Sequence, residues 1–229
     1  LRNVDVFIVQ STFQERKFLE RGIEARRLHV VPGVVSDTGA VDGNGGGDLV
    51  GYAGRVSCEK GIEDFLAAAG RLSDIPFAVA GNACGMPRIR EGAPANVRWL
   101  GFLPSDELKE FYLRSRIVVV PSRWYEGFPN VIVQAMAAAR PVVAARIGAM
   151  TTIVEESRTG LLFDVGNPTD LARKIRQLYQ DQPLCRRLGE TARRKALTTY
   201  SSDSVYRALM EAYQKALDAR AGSPSYSLV

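Results

Sequence analysis

The sequence has one histidine, His29, and it sits in an apolar run far from any candidate nucleophile. A serine–histidine–aspartate hydrolase is therefore excluded, and no histidine or cysteine spacing suited to zinc is present. Cysteine is also scarce: Cys58, Cys84 and Cys185 are an odd, scattered set with no Cys-x-x-Cys pair. That pattern argues against a disulfide framework and for a reducing, cytoplasmic location. No apolar run reaches the length of a membrane span, and no signal peptide opens the sequence. The two familiar glycine-rich phosphate loops, GxGxxG and GxxxxGK[ST], are missing, which counts against a dinucleotide dehydrogenase and a P-loop nucleotidase. There is no basic block either. The net charge of +5 is spread along the chain. No nucleic-acid partner is expected, and the surplus allows a mild bias toward anionic ligands or peripheral contact with an anionic membrane face. Leu1 is not a start methionine, so the chain is expected to begin within a longer protein.

What is present is alternation. VDVFIVQ (4–10) reads as a buried strand, TFQERKFLERG (12–22) as a helix closed by Gly22, and LHVVPG (28–33) as a second strand. SDTGAVDGNGGGD (36–48) then carries five glycines and almost nothing apolar, the composition of a flexible linker and the clearest boundary in the chain. After it, six strands (49–54, 75–81, 96–103, 116–122, 141–145 and 159–164) are separated by helical stretches near 62–72, 105–115 and 130–139. The 105–115 helix has Ser105 as its expected cap. Three more helices follow, near 168–180, 183–198 and 202–219, and the end, 221–229, reads as frayed. Strands spaced by helices mean βαβ units, so the fold class is α/β: a doubly wound, Rossmann-like parallel sheet with a helical C-terminus and a small βαβ remnant at the N-terminus. Ligands of such sheets bind beyond the carboxyl ends of the strands, which directs attention to the loops after residues 54, 81, 101 and 122.

Two of those loops carry chemistry. GYAGRVSCEKG (51–61) places Arg55 and Lys60 around a turn that leads into a helix. A guanidinium fork, an ammonium and free helix N–H groups all favour a phosphate, although two exposed surface cations would look the same in sequence. In PSRWYEGFPNVIVQAM (121–136), Glu126 borders a turn and Pro129 marks the helix start. The N–H groups of Asn130 and Val131 have no intrahelical partner and can cradle an anion. Side chains tilt toward a helix N-terminus, so Gln134 leans back toward the mouth that Glu126 borders. The plainer alternative is that Glu126 caps the helix dipole and Gln134 makes a local hydrogen bond. His29 is expected to be structural, and Trp99, Trp124 and Tyr125 to be packing residues, the last two beside the candidate mouth.

Taken together, GYAGRVSCEKG, NVRWLGFL, VVVPSRWYEGFPNVIVQAMAAARPVVA and TGLLFDVGNPTDLA resemble the C-terminal half of a retaining glycosyltransferase of the GT-B fold, in the group 1 family that includes bacterial mannosyltransferases and glycogen and sucrose synthases. The resemblance covers residues 1–215. It implies that 1–35 end an N-terminal domain, 36–48 link, 49–200 bind a nucleotide-diphosphate sugar, and 201–220 form a C-terminal helix. It further implies that Arg55 and Lys60 hold the donor diphosphate with the backbone at Asn130 and Val131. Glu126, as the catalytic carboxylate, with Gly127 and Phe128, would contact the donor sugar. Gln134 would face the ribose, and no metal or other cofactor is required. The acceptor, a sugar, lipid-linked or other, would be bound through the absent N-terminal domain, leaving this chain alone inactive. There are two departures from the family pattern: Gln134 replaces a glutamate, and Thr151-Thr152 stand where Pro-Glu is common. Losing the carboxylate costs about 1–2 kcal/mol, or roughly tenfold in affinity. The alternatives are a degenerate nucleotide-sugar-binding module or non-catalytic partner subunit, and, less well matched, a GT-B sugar-nucleotide epimerase.

Overall fold

The computed structural model describes residues 4–39, 47–83 and 86–221. The chain opens with β1 (Phe7–Val9), α1 (Thr12–Glu20) and β2 (Leu28–Val30). β1 and β2 pair in parallel, Ile8 opposite His29, as a sheet of two strands. The Ser11 hydroxyl starts α1 by accepting from the Gln14 N–H. His29 is built into this unit, with Nδ1 3.1 Å from Lys215 Nζ.

The main body holds β3 (Leu49–Ala53), α2 (Ile62–Arg71), β4 (Phe77–Ala80), α3 (Pro87–Glu91), β5 (Val97–Gly101), α4 (Ser105–Arg114), β6 (Ser115–Val120), α5 (Asn130–Ala137), β7 (Val142–Ala145), α6 (Met150–Ile153), β8 (Gly160–Phe163), α7 (Pro168–Gln180), α8 (Gln182–Thr199) and α9 (Ser202–Ala221). Its six strands form one parallel sheet in the order β5-β4-β3-β6-β7-β8. The chain winds from β3 out to one edge, returns to lay β6 beside β3, and winds out to the other edge. β4, β7 and β8 are buried on both faces, which is why FAVA, VVAA and GLLF read as unbroken apolar runs. β5 is an edge, and it alternates between half-buried and exposed residues. Two helix pairs, α2 with α7 and α5 with α8, cover the sheet. On the β3–β4 side the core is closed by aromatic contacts: Phe65 of α2 lies 5.4 Å from Tyr52 and 5.3 Å from Phe77 between ring centroids. Each such buried ring contributes roughly 1.5–3 kcal/mol over an exposed one.

Four local readings change. α4 begins at Ser105 with Pro104 in the capping position and no side-chain cap bond, because Pro104 offers no side-chain acceptor for the free N–H groups. The short α3 and α6 went unread, since neither is long enough to show a helical period. The glycine-rich stretch is anchored at its start: Asp37 pairs with Arg193 at 2.6 Å and the Thr38 hydroxyl donates to the Ala137 carbonyl at 2.9 Å. Residues 40–46 of that stretch, Cys84 and the end from 222 on lie outside the described residues. Finally, α5 stops at Ala137, two residues earlier than its apolar run, because Ala139, just past the cap residue Ala138, takes φ 56°. A non-glycine residue in that left-handed region costs about 1–2 kcal/mol. Ala139→Gly is therefore expected to raise stability by about 0.5–1 kcal/mol after the entropic cost of glycine, read as a higher urea midpoint. An unchanged or lower midpoint would mean that the left-handed turn is not strained.

Candidate functional site

The cleft sits where the winding reverses, beyond the carboxyl ends of β3 and β6. It is a cavity of about 230 Å³ lined by residues of the loop after β3, including Gly54, Arg55 and Lys60, and of the turn before α5, including Ser122, Glu126, Phe128, Asn130 and Val131. Only tertiary structure joins these loops, which lie more than sixty residues apart.

Backbone geometry sets the first loop. Gly54 has φ 144° and Gly61 φ 71°, and between them Cys58–Lys60 make one 3-10 turn. A side chain on Gly61 would overlap the Pro121 carbonyl oxygen, so the two loops touch through bare backbone there. The Tyr52 hydroxyl donates to the Arg55 carbonyl at 2.6 Å. Burial, then the Glu126 and Glu59 carboxylates, push that phenol well above its ordinary range, so it stays a protonated donor.

The second loop is clamped to the first. The Arg123 guanidinium forks onto Asp64 at 2.9 and 2.6 Å, and its backbone N–H donates to the Glu59 carbonyl at 2.9 Å. Asp64 is itself buried on α2. Neither Arg123 nor Asp64 stood out in the sequence, since each reads as an ordinary surface charge. The only hint was that Asp64 falls within the apolar face of α2.

Across the cleft, Lys60 Nζ meets Glu126 Oε1 at 2.6 Å, and the Ser122 hydroxyl donates to the same oxygen at 2.9 Å. Glu126 is thus held by a cation and a hydroxyl, and α5 has no side-chain cap bond. Lys60 keeps two more N–H donors for a ligand. Arg55 is largely exposed and pairs with Glu59 at 3.0 Å. At the mouth of α5 the Ile132 N–H is taken by the Pro129 carbonyl at 2.9 Å, while helical geometry leaves the N–H groups of Asn130 and Val131 facing outward. The cavity wall thus combines two cations, one carboxylate and a helix N-terminus, a set suited to a phosphorylated ligand with hydroxyls beside it.

Gly127 and Gln134 are not part of that wall. Gly127 is turned to the N-terminal unit: its carbonyl accepts from the Ser11 hydroxyl at 3.1 Å, and a side chain there would meet Gln14. Gln134 lies one turn deeper on α5, where its amide oxygen accepts from the Tyr112 hydroxyl of α4 at 3.1 Å. Phe128 lines the cleft and also packs edge-on against Tyr200 at 5.4 Å. Among the described residues, no group of histidine, cysteine and carboxylate side chains could hold a metal ion. None of the described helices is long and apolar enough to cross a membrane.

Comparison with known proteins agrees with this architecture. An uncharacterised glycosyltransferase of Methanocaldococcus jannaschii is 30% identical over 195 residues, which are 83% of this chain and 54% of that protein. The chain thus spans about half the length of that curated relative. The Anabaena HepE crystal structure with UDP superposes with a TM-score of 0.82 at 21% identity, over 92% of this chain and 64% of that one. The C-terminal domain of a glycosyl transferase group 1 family protein from Francisella tularensis superposes with a TM-score of 0.61 at 25% identity, over 69% of this chain and 88% of that one. The family model for glycosyl transferases group 1 matches residues 40–195, well over half of the chain, and with the relative above this makes the chain a member of the group 1 glycosyltransferase family.

Proposed function

We propose that this chain is the C-terminal, donor-binding half of a retaining glycosyltransferase that moves a sugar from a nucleotide diphosphate to an acceptor held by the remainder of a longer protein. The observation that carries the reading is the Lys60–Glu126 pair at the mouth of α5, with Arg55 beside it. Lys60, Arg55 and the N–H groups of Asn130 and Val131 neutralise the leaving diphosphate, so no bound metal is needed. Glu126 is the catalytic carboxylate beside the donor sugar, where Phe128 completes the pocket. As the glycosidic bond to the phosphate breaks, the acceptor oxygen attacks the same face and its proton passes to the departing phosphate oxygen, with retention. UDP in the related HepE structure supports a nucleotide donor. The Francisella C-terminal domain supports the placement as a C-terminal half. That placement also accounts for the exposed apolar residues gathered on the N-terminal unit and α9, among them Ile8, Phe18, Met210, Tyr213 and Leu217, which the rest of a longer protein would cover. The enzyme acts in the cytoplasm, with any membrane contact peripheral.

Calorimetry with UDP, GDP and ADP tests the reading. At least one should bind, EDTA should leave that affinity within twofold, and Arg55→Ala should weaken it about tenfold, the loss of one charge-assisted contact. Binding of none of them overturns it.

A degenerate, binding-only member is the second reading, favoured by the state of the three departing residues. The Thr151 and Thr152 hydroxyls donate back into their own turn, to the Gly148 and Ala149 carbonyls at 2.8 and 2.9 Å. One lone pair of the Gln134 oxygen is already engaged by Tyr112, so a single acceptor site and the NH₂ group remain to meet a ribose. Gln134→Glu restores a double acceptor and should tighten nucleotide binding about tenfold. Unchanged or weaker affinity would remove Gln134 from the ribose side.

A further inference from the structure

A second cavity lies away from the donor cleft, on the face of the sheet that carries α4. The connections from β3 to β4 and from β4 to β5 run in one direction, and right-handed crossovers put α2 and α3 on the opposite face. α4 returns over β3 and β6. The α4 face of β4 and β5 is left as a groove of about 450 Å³ between α4 and the edge strand. Its floor is apolar, with Ala78 of β4, Leu100 of β5, Leu103 and Phe111. Leu100 is 37% exposed, and Phe102, just past the end of β5, is 78% exposed.

The rim is charged, and the charges are sorted along it. α4 runs from the carboxyl end of the sheet, where Ser105 follows β5, to the amino end, where Ser115 pairs with Leu49. Asp106, Glu107 and Glu110 therefore lie toward the upper end of the groove. Arg114, at the end of α4, and Arg98, near the start of β5, lie toward the lower end. Among the described residues, none of these five side chains makes an ion pair or a hydrogen bond. Asp106 and Glu107 suit a helix start, but Glu110 repels both at helical spacing.

A groove with an acidic end, an arginine end and an apolar floor is complementary to its own copy turned end for end. A two-fold axis makes that arrangement, and the same patch then serves both subunits. We infer that this face is a homodimer interface, in which α4 and β5 of one copy close the groove of a second. The acidic end of each copy meets Arg98 and Arg114 of the other, so each charge match occurs twice. Leu100 and Phe102 are covered, and so is β5, the unpaired edge that a sheet has to protect. A basic peptide would match only the acidic end; a second copy matches both ends. The surface is separate from the N-terminal unit and α9, whose apolar residues the rest of a longer protein would cover.

Analytical ultracentrifugation of the 229-residue chain and of the full-length protein tests this. Both should show a monomer–dimer equilibrium in the micromolar range. Glu107→Arg with Glu110→Arg leaves the groove mainly basic, and Arg98→Glu with Arg114→Glu makes it wholly acidic. Each pair of changes should raise the dimer Kd at least tenfold, through like-charge contacts. Mixed in equal amounts, the two variants should form a heterodimer at least tenfold tighter than either homodimer, a rescue that misfolding could not produce. UDP affinity should stay within twofold in both, because the donor cavity shares no residue with the groove, so loss of the dimer leaves the donor reading standing. The inference is overturned if the wild-type chain is monomeric up to about 100 μM, if the reversed variants dimerise like the wild type, or if they fail to associate with each other. It is also overturned if the 229-residue chain dimerises while the full-length protein does not, which would make the rest of that protein the cover of the groove.

Discussion

Lys60→Ala should lower affinity for a nucleoside diphosphate by about 100-fold or more. Its ammonium bridges both loops of the cleft, 2.6 Å from Glu126. Removing it deletes a charge-assisted contact to phosphate, roughly 1.5–3 kcal/mol, or about 10- to 150-fold. It also leaves the half-buried Glu126 carboxylate without its counter-ion, facing an anionic ligand. Glu126→Gln should have the opposite signature. The amide keeps the shape and the Ser122 bond, loses the repulsion, and should leave nucleotide affinity equal or higher while abolishing transfer in the full-length enzyme. The two variants together therefore separate binding from chemistry. Calorimetry on both, with a double-mutant cycle, measures the coupling. Lys60→Ala binding UDP as tightly as the wild type would place the diphosphate elsewhere.

Gly61→Ala should destabilise the chain by about 3 kcal/mol, with nucleotide affinity falling alongside. Two costs add at this position. φ is 71°, worth about 1–2 kcal/mol for any L side chain. The new methyl would also overlap the Pro121 carbonyl, and overpacking of that kind costs typically 1–3 kcal/mol. Relief requires the two loops to separate, which pulls Lys60 away from Glu126. Gly22→Ala is the control: φ is also positive, at 83°, but nothing lies near the added methyl, so only the conformational cost remains. Urea midpoints for the two variants should differ by clearly more than the error of the extrapolation. Equal midpoints would mean that the loops are not in register through backbone contact.

The periods of the sequence made most of the main body legible. The apolar runs at 116–120 and 142–145 are strands because both faces are covered, and the 168–180 stretch is a helix because Leu171, Ile175 and Leu178 repeat along one buried stripe. Arg55, Lys60, Glu126, Asn130 and Val131 could be singled out because glycines and a proline punctuate their loops just past strand ends. Asp64 and Arg123 could not, since the sequence shows a carboxylate and a guanidinium but not that the fold brings them within 2.9 Å. The partner of Gln134 was hidden for a related reason. The tilt of helical side chains points Gln134 toward the mouth, but Tyr112, twenty-two positions away on another helix, holds its oxygen.

What the sequence determined by itself was therefore what depends on near neighbours: which segments are strands or helices, that the sheet is parallel, and which loops could carry phosphate chemistry. Short-range sterics and burial periodicity suffice for that. The pairing of Lys60 with Glu126, the clamp from Arg123 to Asp64, the hydrogen bond from Tyr112 to Gln134 and the stacking of Tyr125 on Phe13 were decided only by tertiary structure. Each joins residues from separate elements, and such contacts exist only once the sheet order brings β6 beside β3.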